Sequence, residues 1–413
     1  MGTDRKKRKI RILGFRKKSK SKAGKTNIKS DVSNSEQKSG LELVNGSRKR
    51  RKRVRIITLS IVAAIILTVL IISWITPTGL IEYIQNEYAA TGKGEFPVSV
   101  YSSNPEYFGC HDDIITLTNN TFFEVYNTNG KLLQAVSHGM SNPQLEVSEA
   151  RFLLYDRERY SISIFNYSNE LHTAEFENTI ITADIGRNGS YAVVTSSELY
   201  KNSVYVYNKD NELKFTWNSA NYYVTDVAVS DNGKKIAVCL LNSNAGSFES
   251  FVYILDFKSA TPKEKYSFND IVSSVSNYGD YIFANGFDRA YSIKWDGGQT
   301  DLGVNGTIRC YDFDFDGNSC FVFGREDNEQ INTIAVLNED GKLTSTFQFN
   351  AAVEDIALTD EYIAVLSPTD CYLYNLKGEL KSSISSEYKG VFVGLSSNGD
   401  VLVSDNSKLI KLK

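Results

Sequence analysis

A pattern of about 41 residues recurs from residue 125 onward and limits the fold more than any other feature. Each copy has two or three β-forming residues, then Asn or an equivalent residue, then a polar turn that often ends in Leu. Clear copies are VYNTNGKLL (125–133), IFNYSNELH (164–172), VYNKDNELK (206–214), VLNEDGKLT (336–344) and LYNLKGELK (373–381), with weaker copies at 254–266 and 293–302. The anchor residues are Asn127, Asn166, Asn208, Asp256, Trp295, Asn338 and Asn375.

A second pattern precedes most anchors and consists of an alternating apolar strand, a tight turn and another strand. Clear copies are TADIGRNGSYAVVTS (182–196), TDVAVSDNGKKIAVCLL (225–241), YDFDFDGNSCFVFG (311–324) and FVGLSSNGDVLVSD (392–405). The Asn-Gly and Asp-Gly pairs supply the positive φ angles that two-residue hairpins need. The two patterns together predict four short antiparallel strands per unit, and the period is typical of a β-propeller blade.

Seven anchors and a truncated copy at 408–413 predict eight blades, with seven as the alternative. The last unit has three strands, at 391–395, 400–404 and 408–412, and lacks a fourth. The alternating segment 96–101 precedes the first full unit and can provide that strand. The sequence therefore predicts an all-β propeller over 96–413, closed by an N-terminal strand.

This repeat resembles the quinoprotein-like and WD40-like propeller group over residues 96–413. The Gly-His and Trp-Asp signature of WD40 repeats is missing, since Trp295-Asp296 occurs once and in a turn. The whole layout resembles a family of bacterial membrane-anchored propellers of unknown function. That resemblance implies a fold and a location, but no activity, cofactor or site residues.

The segment 56–75, IITLSIVAAIILTVLIISWI, is twenty residues long and carries no charge. At about 1.5 Å per residue a helix of this length spans about 30 Å, the thickness of the hydrocarbon core of a bilayer. Its apolar core and its basic flank are longer than those of a cleaved signal peptide. We therefore expect a transmembrane signal-anchor helix.

Basic residues immediately before this segment indicate its orientation, because Lys and Arg remain in the cytoplasm. The residues are Arg48, Lys49, Arg50, Arg51, Lys52, Arg53 and Arg55. We expect them to fix the topology and to contact anionic lipid headgroups. Residues 1–55 read as a disordered basic cytoplasmic tail, and residues 76–95 as a connector with a short helix over 79–90. The propeller is then extracytoplasmic.

The net charge of −3 is the sum of two opposed parts. Residues 1–55 hold 21 Lys/Arg and 4 Asp/Glu, a net of +17, and the remainder holds 25 Lys/Arg and 45 Asp/Glu, a net of −20. An acidic propeller is unsuited to nucleic acid, so we expect an envelope protein, a glycan or a cation as its partner. Five cysteines without CxxC spacing predict mostly buried free thiols rather than disulfides or zinc ligands.

Asp312, Asp314 and Asp316 begin a DxDxDG pattern that resembles a calcium-binding loop. The position of the Glu that completes such a loop is Phe323, and the intervening Phe residues fit a strand that enters a hairpin. Asp312 aligns with Asp184, Asp226 and Asp355 of other units, which favours a repeated structural role such as accepting backbone N–H groups near a strand end. Calcium at this turn, and weak cation binding where these aspartates surround the channel, are the alternatives.

No sequence motif names an activity. GxSxG, GxGxxG and P-loop patterns are absent from the sequence, and His111, His138 and His172 fall near predicted turns or strand ends. Most of the 24 Tyr and 22 Phe should pack between blades, while Tyr107-Phe108 and Tyr222-Tyr223 fall where a partner could dock.

Three hypotheses remain open: a non-enzymatic binding or scaffolding module, a cofactor-binding or hydrolytic propeller, and a transmembrane sensor. No cofactor is predicted. Acids and histidines that line the channel would favour an enzyme, and a hydrophobic or Tyr-rich channel mouth would favour a binding module.

Overall fold

The computed structural model describes residues 52, 54–72, 76–244, 246–325, 328–385 and 390–412. Helix α1 covers Val54–Ile72 and is the one helix in these ranges long and apolar enough to cross a membrane. None of its most apolar stretch is buried against protein. Three predictions concern residues outside the described ranges. They are the disorder of the tail up to residue 51, the end of the predicted span at 73–75, and the role of the basic residues Arg48, Lys49, Arg50, Arg51 and Arg53.

The predicted short helix is present as α2, Leu80–Ala90. It begins after Gly79, whose φ of 113° is accessible mainly to glycine, and it ends at Thr91, which has an extended backbone. Six ring residues hydrogen-bond to α2 or to the residues that flank it, so the connector helix is docked on the propeller: Asn127, Lys131, Ala150, Arg151, Tyr167 and Lys209.

The described residues form eight four-stranded antiparallel sheets, which confirms eight blades and excludes seven. Each of the first seven blades takes its strands in chain order from the axis outward. Strand β1, Val98–Ser99, precedes the first blade. Blades 1 to 4 contain β2 Tyr107–His111, β3 Ile114–Thr118, β4 Phe122–Asn127, β5 Leu132–Ser137; β6 Pro143–Val147, β7 Phe152–Asp156, β8 Ser161–Phe165, β9 Glu170–Glu175; β10 Ile180–Ile185, β11 Tyr191–Ser196, β12 Asn202–Tyr207, β13 Leu213–Ser219; β14 Tyr223–Val229, β15 Lys235–Asn244, β16 Ser247–Asp256 and β17 Glu264–Ser267.

Blades 5 to 7 repeat the same order. They contain β18 Val272–Tyr278, β19 Tyr281–Gly286, β20 Arg289–Lys294, β21 Gln299–Asn305; β22 Thr307–Phe313, β23 Ser319–Arg325, β24 Asn328–Leu337, β25 Leu343–Phe349; β26 Asp355–Leu358, β27 Tyr362–Leu366, β28 Asp370–Asn375 and β29 Leu380–Ser385.

Blade 8 closes the ring with strands from both ends of the propeller. Its first three strands are β30 Phe392–Leu395, β31 Val401–Ser404 and β32 Lys408–Lys411, and its outermost strand is β1, Val98–Ser99. Val98 pairs with Leu409, and Ser99 pairs with Lys408. The predicted closure by the segment 96–101 is therefore confirmed, and it gives blade 8 its fourth strand.

The repeated Asn anchors are explained by the turns between third and fourth strands. The Asn127 side-chain oxygen accepts hydrogen bonds from the backbone N–H groups of Asn129 (3.1 Å) and Lys131 (2.9 Å). Asn208, Asn338 and Asn375 accept the equivalent pairs in their own blades. In each of these turns the Asn side-chain oxygen accepts backbone N–H groups that have no backbone acceptor, and this explains why Asn recurs at the anchor position.

Eight hydrophobic clusters form the core, and each is shared by two neighbouring blades among the described residues. The rings of Phe283 and Phe321, for example, stack 3.8 Å apart between blades 5 and 6. A four-stranded blade cannot bury both faces alone, so the packing of one blade on the next is the main stabilising element. The predicted role of most aromatic residues is confirmed.

Candidate functional site

The first strands of the blades surround a central channel with a cavity of about 700 Å³. Its two ends differ in composition. We call one end the turn face, because it carries the turns between first and second strands (such as 186–190) and between third and fourth strands (such as 127–131), together with α2. The opposite end is the hairpin face, with the hairpins between second and third strands (such as 197–201) and the connections between blades.

The aspartates that align between blades link one first strand to the next. Each accepts a hydrogen bond from a backbone N–H of the following blade: Asp184 from Val229 (2.6 Å), Asp226 from Val275 (3.0 Å), Asp312 from Leu358 (2.7 Å) and Asp355 from Val393 (2.9 Å). We call these four residues the aspartate latches. The predicted structural role is confirmed, and each latch reaches the next blade as well as its own strand, where Asp226, for example, also accepts the backbone N–H of Val227 at 2.9 Å.

The latches occupy two levels of the channel. Asp184 and Asp312 lie two residues before the amide that closes their hairpin turn, at Gly186 and Asp314, whereas Asp226 and Asp355 lie four residues before it, at Ser230 and Thr359. The sequence predicted that the four residues surround one part of the channel, and the structure divides them between two depths. Side chains alternate along a strand, so positions two and four before the turn both face the channel.

Burial raises the pKa of the latch carboxyls, against the hydrogen bonds that lower it. The pKa rises to about 7 for Asp184 and Asp355 and to about 6 for Asp226, and that of Asp312 is also raised. Glu146 lies in the same channel, and burial together with the nearby charges of Asp184 and Asp226 raises its pKa. The channel interior is therefore acidic in composition but only partly ionised near neutral pH.

The Asp-rich turn of blade 6 reaches across the channel near the turn face. Phe313 stacks on the ring of His111 from blade 1 with ring centroids 4.6 Å apart, and Phe315 lies 5.5 Å from the same ring. The Nη1 group of Arg187 from blade 3 donates to the Phe315 carbonyl at 3.1 Å. Blades 1, 3 and 6 are not neighbours, so these four residues, which we call the channel plug, narrow this end.

His111 is buried and electrically neutral in the plug. Burial lowers its pKa to about 4, and Nδ1 lies 3.0 Å from the Phe313 carbonyl oxygen. A carbonyl can only accept, so Nδ1 carries the proton. The Asp312 carboxylate is 3.7 Å from the same nitrogen. His111 thus lies at a strand end, as predicted, but it is buried and its ring packs in the plug.

Of the proposed calcium ligands, Asp312 accepts a hydrogen bond from the backbone N–H of Leu358. Asp314 accepts from the backbone N–H (2.9 Å) and the side-chain Nδ2 (2.7 Å) of Asn318, which closes the turn. Asp316 is exposed. Within the described ranges no group of three or more His, Cys, Asp or Glu side chains is arranged to hold a metal. Calcium binding by this turn stays a prediction, and the geometry assigns the turn a structural role.

The cavity wall nearer the hairpin face is aromatic as well as acidic. Tyr107 and Phe108 line it, and Phe108 stacks on Phe392 of blade 8 with centroids 5.9 Å apart. Tyr311 lines the side formed by blade 6, whereas Tyr278 lies at the turn-face end of β18, with its ring centroid 5.1 Å from that of Phe313 in the plug. Both features that were expected to separate an enzyme from a binding module are thus present in the channel, and each latch carboxylate accepts a backbone N–H of the next blade.

Exposed apolar side chains mark the hairpin face over consecutive blades. They lie at or beside the tips of the hairpins of blades 2 to 6, and we call them the apolar tips: Tyr160, Leu199, Tyr200, Phe248, Phe287 and Ile331. Leu199, Phe248 and Phe287 are 87%, 61% and 62% exposed. Ile271 and Tyr223 are exposed on the connections beside them. Of the two predicted aromatic pairs, Tyr223 joins this surface, whereas Tyr222 packs on Phe251.

The corresponding tips of blades 1, 7 and 8 are polar. Residues 119–121, 367–369 and 405–407 form tight turns in which Asn119, Ser367 and Asp405 accept the backbone N–H groups of the tip. Sequence reasoning missed this contrast. The signal was available, because single apolar residues such as Leu199 and Phe287 stand between polar turn residues, where a hairpin does not require them.

Solved structures similar to this chain are β-propellers. Sqt1 of Saccharomyces cerevisiae matches with a TM-score of 0.53 and 8% identity, over 76% of this chain and 97% of that chain. The C-terminal WD40 domain of Sif2 matches with a TM-score of 0.53 and 11% identity, over 78% and 99%. A eukaryotic initiation factor matches with a TM-score of 0.51 and 12% identity, over 77% and 87%. At such identities the likeness establishes the fold alone.

Among curated proteins, none has a sequence significantly similar to this chain. Residues 94–287 and 299–412 match the family described as "Family of unknown function (DUF5711)". These ranges cover nearly the whole ring and most of the chain, so the expected kinship with a propeller family of unknown function is confirmed. The chain belongs to the DUF5711 family.

Proposed function

We propose that this protein is a single-pass membrane protein that displays an extracytoplasmic propeller, and that the propeller is a non-enzymatic binding module for an envelope protein. The observation that carries the proposal is the run of apolar tips on the hairpin face. Loop tips that serve only to connect strands are polar, as the tips of blades 1, 7 and 8 are. A set of exposed large apolar side chains on consecutive blades favours a protein interface.

Membrane anchoring is supported by α1 and by the charges that precede it. The helix is long and apolar enough to span a bilayer, and the seven basic residues just before or at its start predict a cytoplasmic N-terminus. From position 56 onward the chain carries 20 more negative than positive residues, most of them in the propeller, which argues against a nucleic-acid partner. Protease treatment of intact cells tests this topology, since cleavage restricted to the cytoplasmic side would contradict it.

A protein partner fits the apolar tips better than a glycan does. Phe248, Phe287 and Ile331 offer no side-chain hydrogen-bonding group, whereas recognition of a sugar needs polar groups beside each aromatic ring. An apolar peptide segment or a hydrophobic patch buries such side chains without that requirement. The proposed partner is therefore a protein of the cell envelope that presents an apolar surface.

Photo-crosslinking in intact cells of the native host tests the proposal. A benzoylphenylalanine residue placed at Phe248 or at Phe287 is expected to yield the same discrete adduct. Thr369 provides the matched control, because it is also exposed on the hairpin face but lies in the polar part of the rim. An equal adduct at Thr369, or no adduct above that control at either apolar tip, would contradict the proposal.

A second candidate function, a cofactor-binding or hydrolytic propeller, is favoured by the acids and His111 inside the channel. Against it, the latches are hydrogen-bonded to neighbouring blades and His111 is neutral in the plug. The melting temperature measured at increasing calcium concentration distinguishes the two functions at the Asp-rich turn of blade 6. An increase in melting temperature that Asp314→Asn abolishes would favour a metal-binding channel, and an unchanged melting temperature would favour the binding module.

A further inference from the structure

Helix α2 presents its polar side to the propeller, and those contacts are specific. Arg151 of blade 2 donates two hydrogen bonds to the Glu82 carboxylate, at 2.7 and 2.6 Å. Asn86 is 4% exposed, donates to the Ala150 carbonyl at 3.0 Å and accepts from the backbone N–H of Tyr167 at 3.3 Å. The helix is thus held through Glu82 and Asn86, which lie one turn apart on one side, and the small side chains of Ala89 and Ala90 pack on the core cluster of blades 1 and 2.

The opposite side of α2 is apolar and faces away from the propeller. Ile81, Ile84 and Tyr88 are 76%, 55% and 79% exposed. Their spacing of three and four residues places them in one stripe, and Gln85 and Glu87 flank the stripe on either side. A helix on the surface of a water-soluble ring is expected to have the reverse arrangement, with its apolar side inward.

The position of α2 in the chain indicates what covers this stripe. Only residues 73–79 separate Leu80 from Ile72, the last residue of α1. A fully extended chain advances about 3.5 Å per residue, so Leu80 lies within about 30 Å of the end of the apolar helix. With α1 in a bilayer, this short tether keeps the stripe permanently near the lipid surface, and the high effective concentration makes even a weak interaction persistent.

The side chains of the stripe suit the interfacial region of a bilayer. Tyr88 has an apolar ring and a polar hydroxyl, the combination that is enriched at the headgroup level. The helix sequence LIEYIQNEYAA contains no Lys or Arg. Attraction to anionic headgroups therefore does not contribute through α2 itself, and the apolar side chains must provide the interaction.

We infer that α2 is an interfacial helix whose Ile81–Ile84–Tyr88 stripe lies in the outer surface of the lipid bilayer while its polar side holds the propeller. This inference goes beyond partner binding and rests on the proposed insertion of α1. Its consequence is orientation: the turn face, which carries α2, is directed toward the lipid, and the hairpin face with the apolar tips is directed away from it.

Spin labelling of the full chain in phosphatidylcholine nanodiscs tests the inference. The background is Cys310→Ser, because Cys310 is partly exposed whereas the other four thiols are buried. A nitroxide is attached at Ile84→Cys, and a matched control nitroxide at Leu199→Cys, an exposed apolar residue of the hairpin face. Collisions are measured with oxygen, which partitions into lipid, and with a nickel chelate, which remains in water.

The ratio of oxygen to nickel collisions is expected to be several-fold higher at position 84 than at position 199. Adding Ile81→Ser and Tyr88→Ser should lower the ratio at position 84 toward the control value. Equal ratios at the two positions would overturn the inference without affecting partner binding at the apolar tips. Protection from nickel accompanied by dipolar broadening between labels would assign the stripe to a second copy of the chain and would also overturn it.

A further outcome concerns α1 itself. A chain that does not incorporate into nanodiscs would overturn both membrane anchoring and the interfacial role of α2. The crosslinking experiment at Phe248 and Phe287 has an independent readout, so failure of one proposal remains distinguishable from failure of the other.

Discussion

The two faces of the ring differ in how their side chains are used. On the turn face the polar groups are occupied within the chain: Glu82 by Arg151, Asn86 by blade 2, and the blade 6 turn by His111 and Arg187. On the hairpin face, large apolar side chains such as Phe248 and Phe287 are exposed in the part of the chain that the structure describes. The difference teaches that polar contacts within the chain fix the turn face and its helix, whereas the hairpin face, for which we propose a partner, has exposed apolar tips without such contacts.

Loss of Arg151 should have the largest effect on the turn face. Arg151→Ala leaves the Glu82 carboxylate, which is 13% exposed, without its bidentate donor, and removal of one member of such a pair costs about 3 kcal/mol. Denaturant unfolding should show this loss, and hydrogen exchange should show that α2 loses protection. Lys214→Ala removes an exposed surface pair with Glu212 and should leave the free energy of unfolding nearly unchanged. Equal effects of the two variants would refute the assignment of α2 as a docked element.

Loss of an aspartate latch should have the second-largest effect on the free energy of unfolding. Asp355→Ala leaves the backbone N–H of Val393 without its acceptor, which costs about 2 kcal/mol for a buried group. Asp355→Asn retains an acceptor oxygen at nearly the same place and should lose much less in denaturant unfolding. If both variants are destabilised equally, the carboxylate charge, and not the hydrogen bond, is what blade 7 requires.

The latches also predict an unusual dependence of stability on pH. Because the pKa of Asp184 and Asp355 is raised to about 7 in the folded state, the folded chain binds more protons than the unfolded chain between pH 3.8 and about 7. The free energy of unfolding should therefore increase on acidification from about pH 8 to about pH 6.5, by on the order of 1 kcal/mol for each carboxyl.

Histidines act in the opposite direction at lower pH. The pKa of His111 is lowered to about 4, so its contribution to stability declines only as the pH falls below its unfolded value of 6.5. The window above about pH 6.5 thus isolates the carboxyls. Thermal unfolding of Asp184→Asn/Asp355→Asn should show a flatter profile there, and an unchanged slope would contradict the raised pKa values.

The smallest effect on stability is expected on the hairpin face. Phe248→Ser and Phe287→Ser change exposed side chains and should alter the free energy of unfolding by less than about 0.5 kcal/mol each. The same double variant should abolish the partner adduct formed by a crosslinker at Leu199. A marked loss of stability would place these residues in the core and would remove the contrast between the two faces.

The sequence predicts the ring well, because each blade repeats local signals. The Asn anchors, the Asn-Gly and Asp-Gly turns and the missing strand of the last unit are sufficient for eight blades and for closure at 96–101. Gly189, Gly233, Gly317 and Gly399 have the positive φ angles that the turn pattern predicts. The structural role of the aspartates could be predicted because the same residue type recurs at similar positions of the first strands.

The features that lie outside the repeat could not be predicted. Glu82 and Arg151 are 69 residues apart and belong to different elements, so no local pattern relates them. The plug depends on the curvature of the closed ring, which brings the blade 6 turn to His111 across the channel. The basic cluster before α1 and the possible calcium ligands remain predictions for the experiments described above.

The closing pair of strands has a mechanical consequence. Any tension on the segment before the propeller is transmitted along the chain toward β1, whose two residues are the outermost rung of blade 8. Before it reaches this seam, the load must pass through α2, which is fastened to blade 2 at Arg151 and to blade 1 at Asn127. The helix therefore transfers the force to blades 1 and 2, and the short β1–β32 pairing that closes the ring carries less of it.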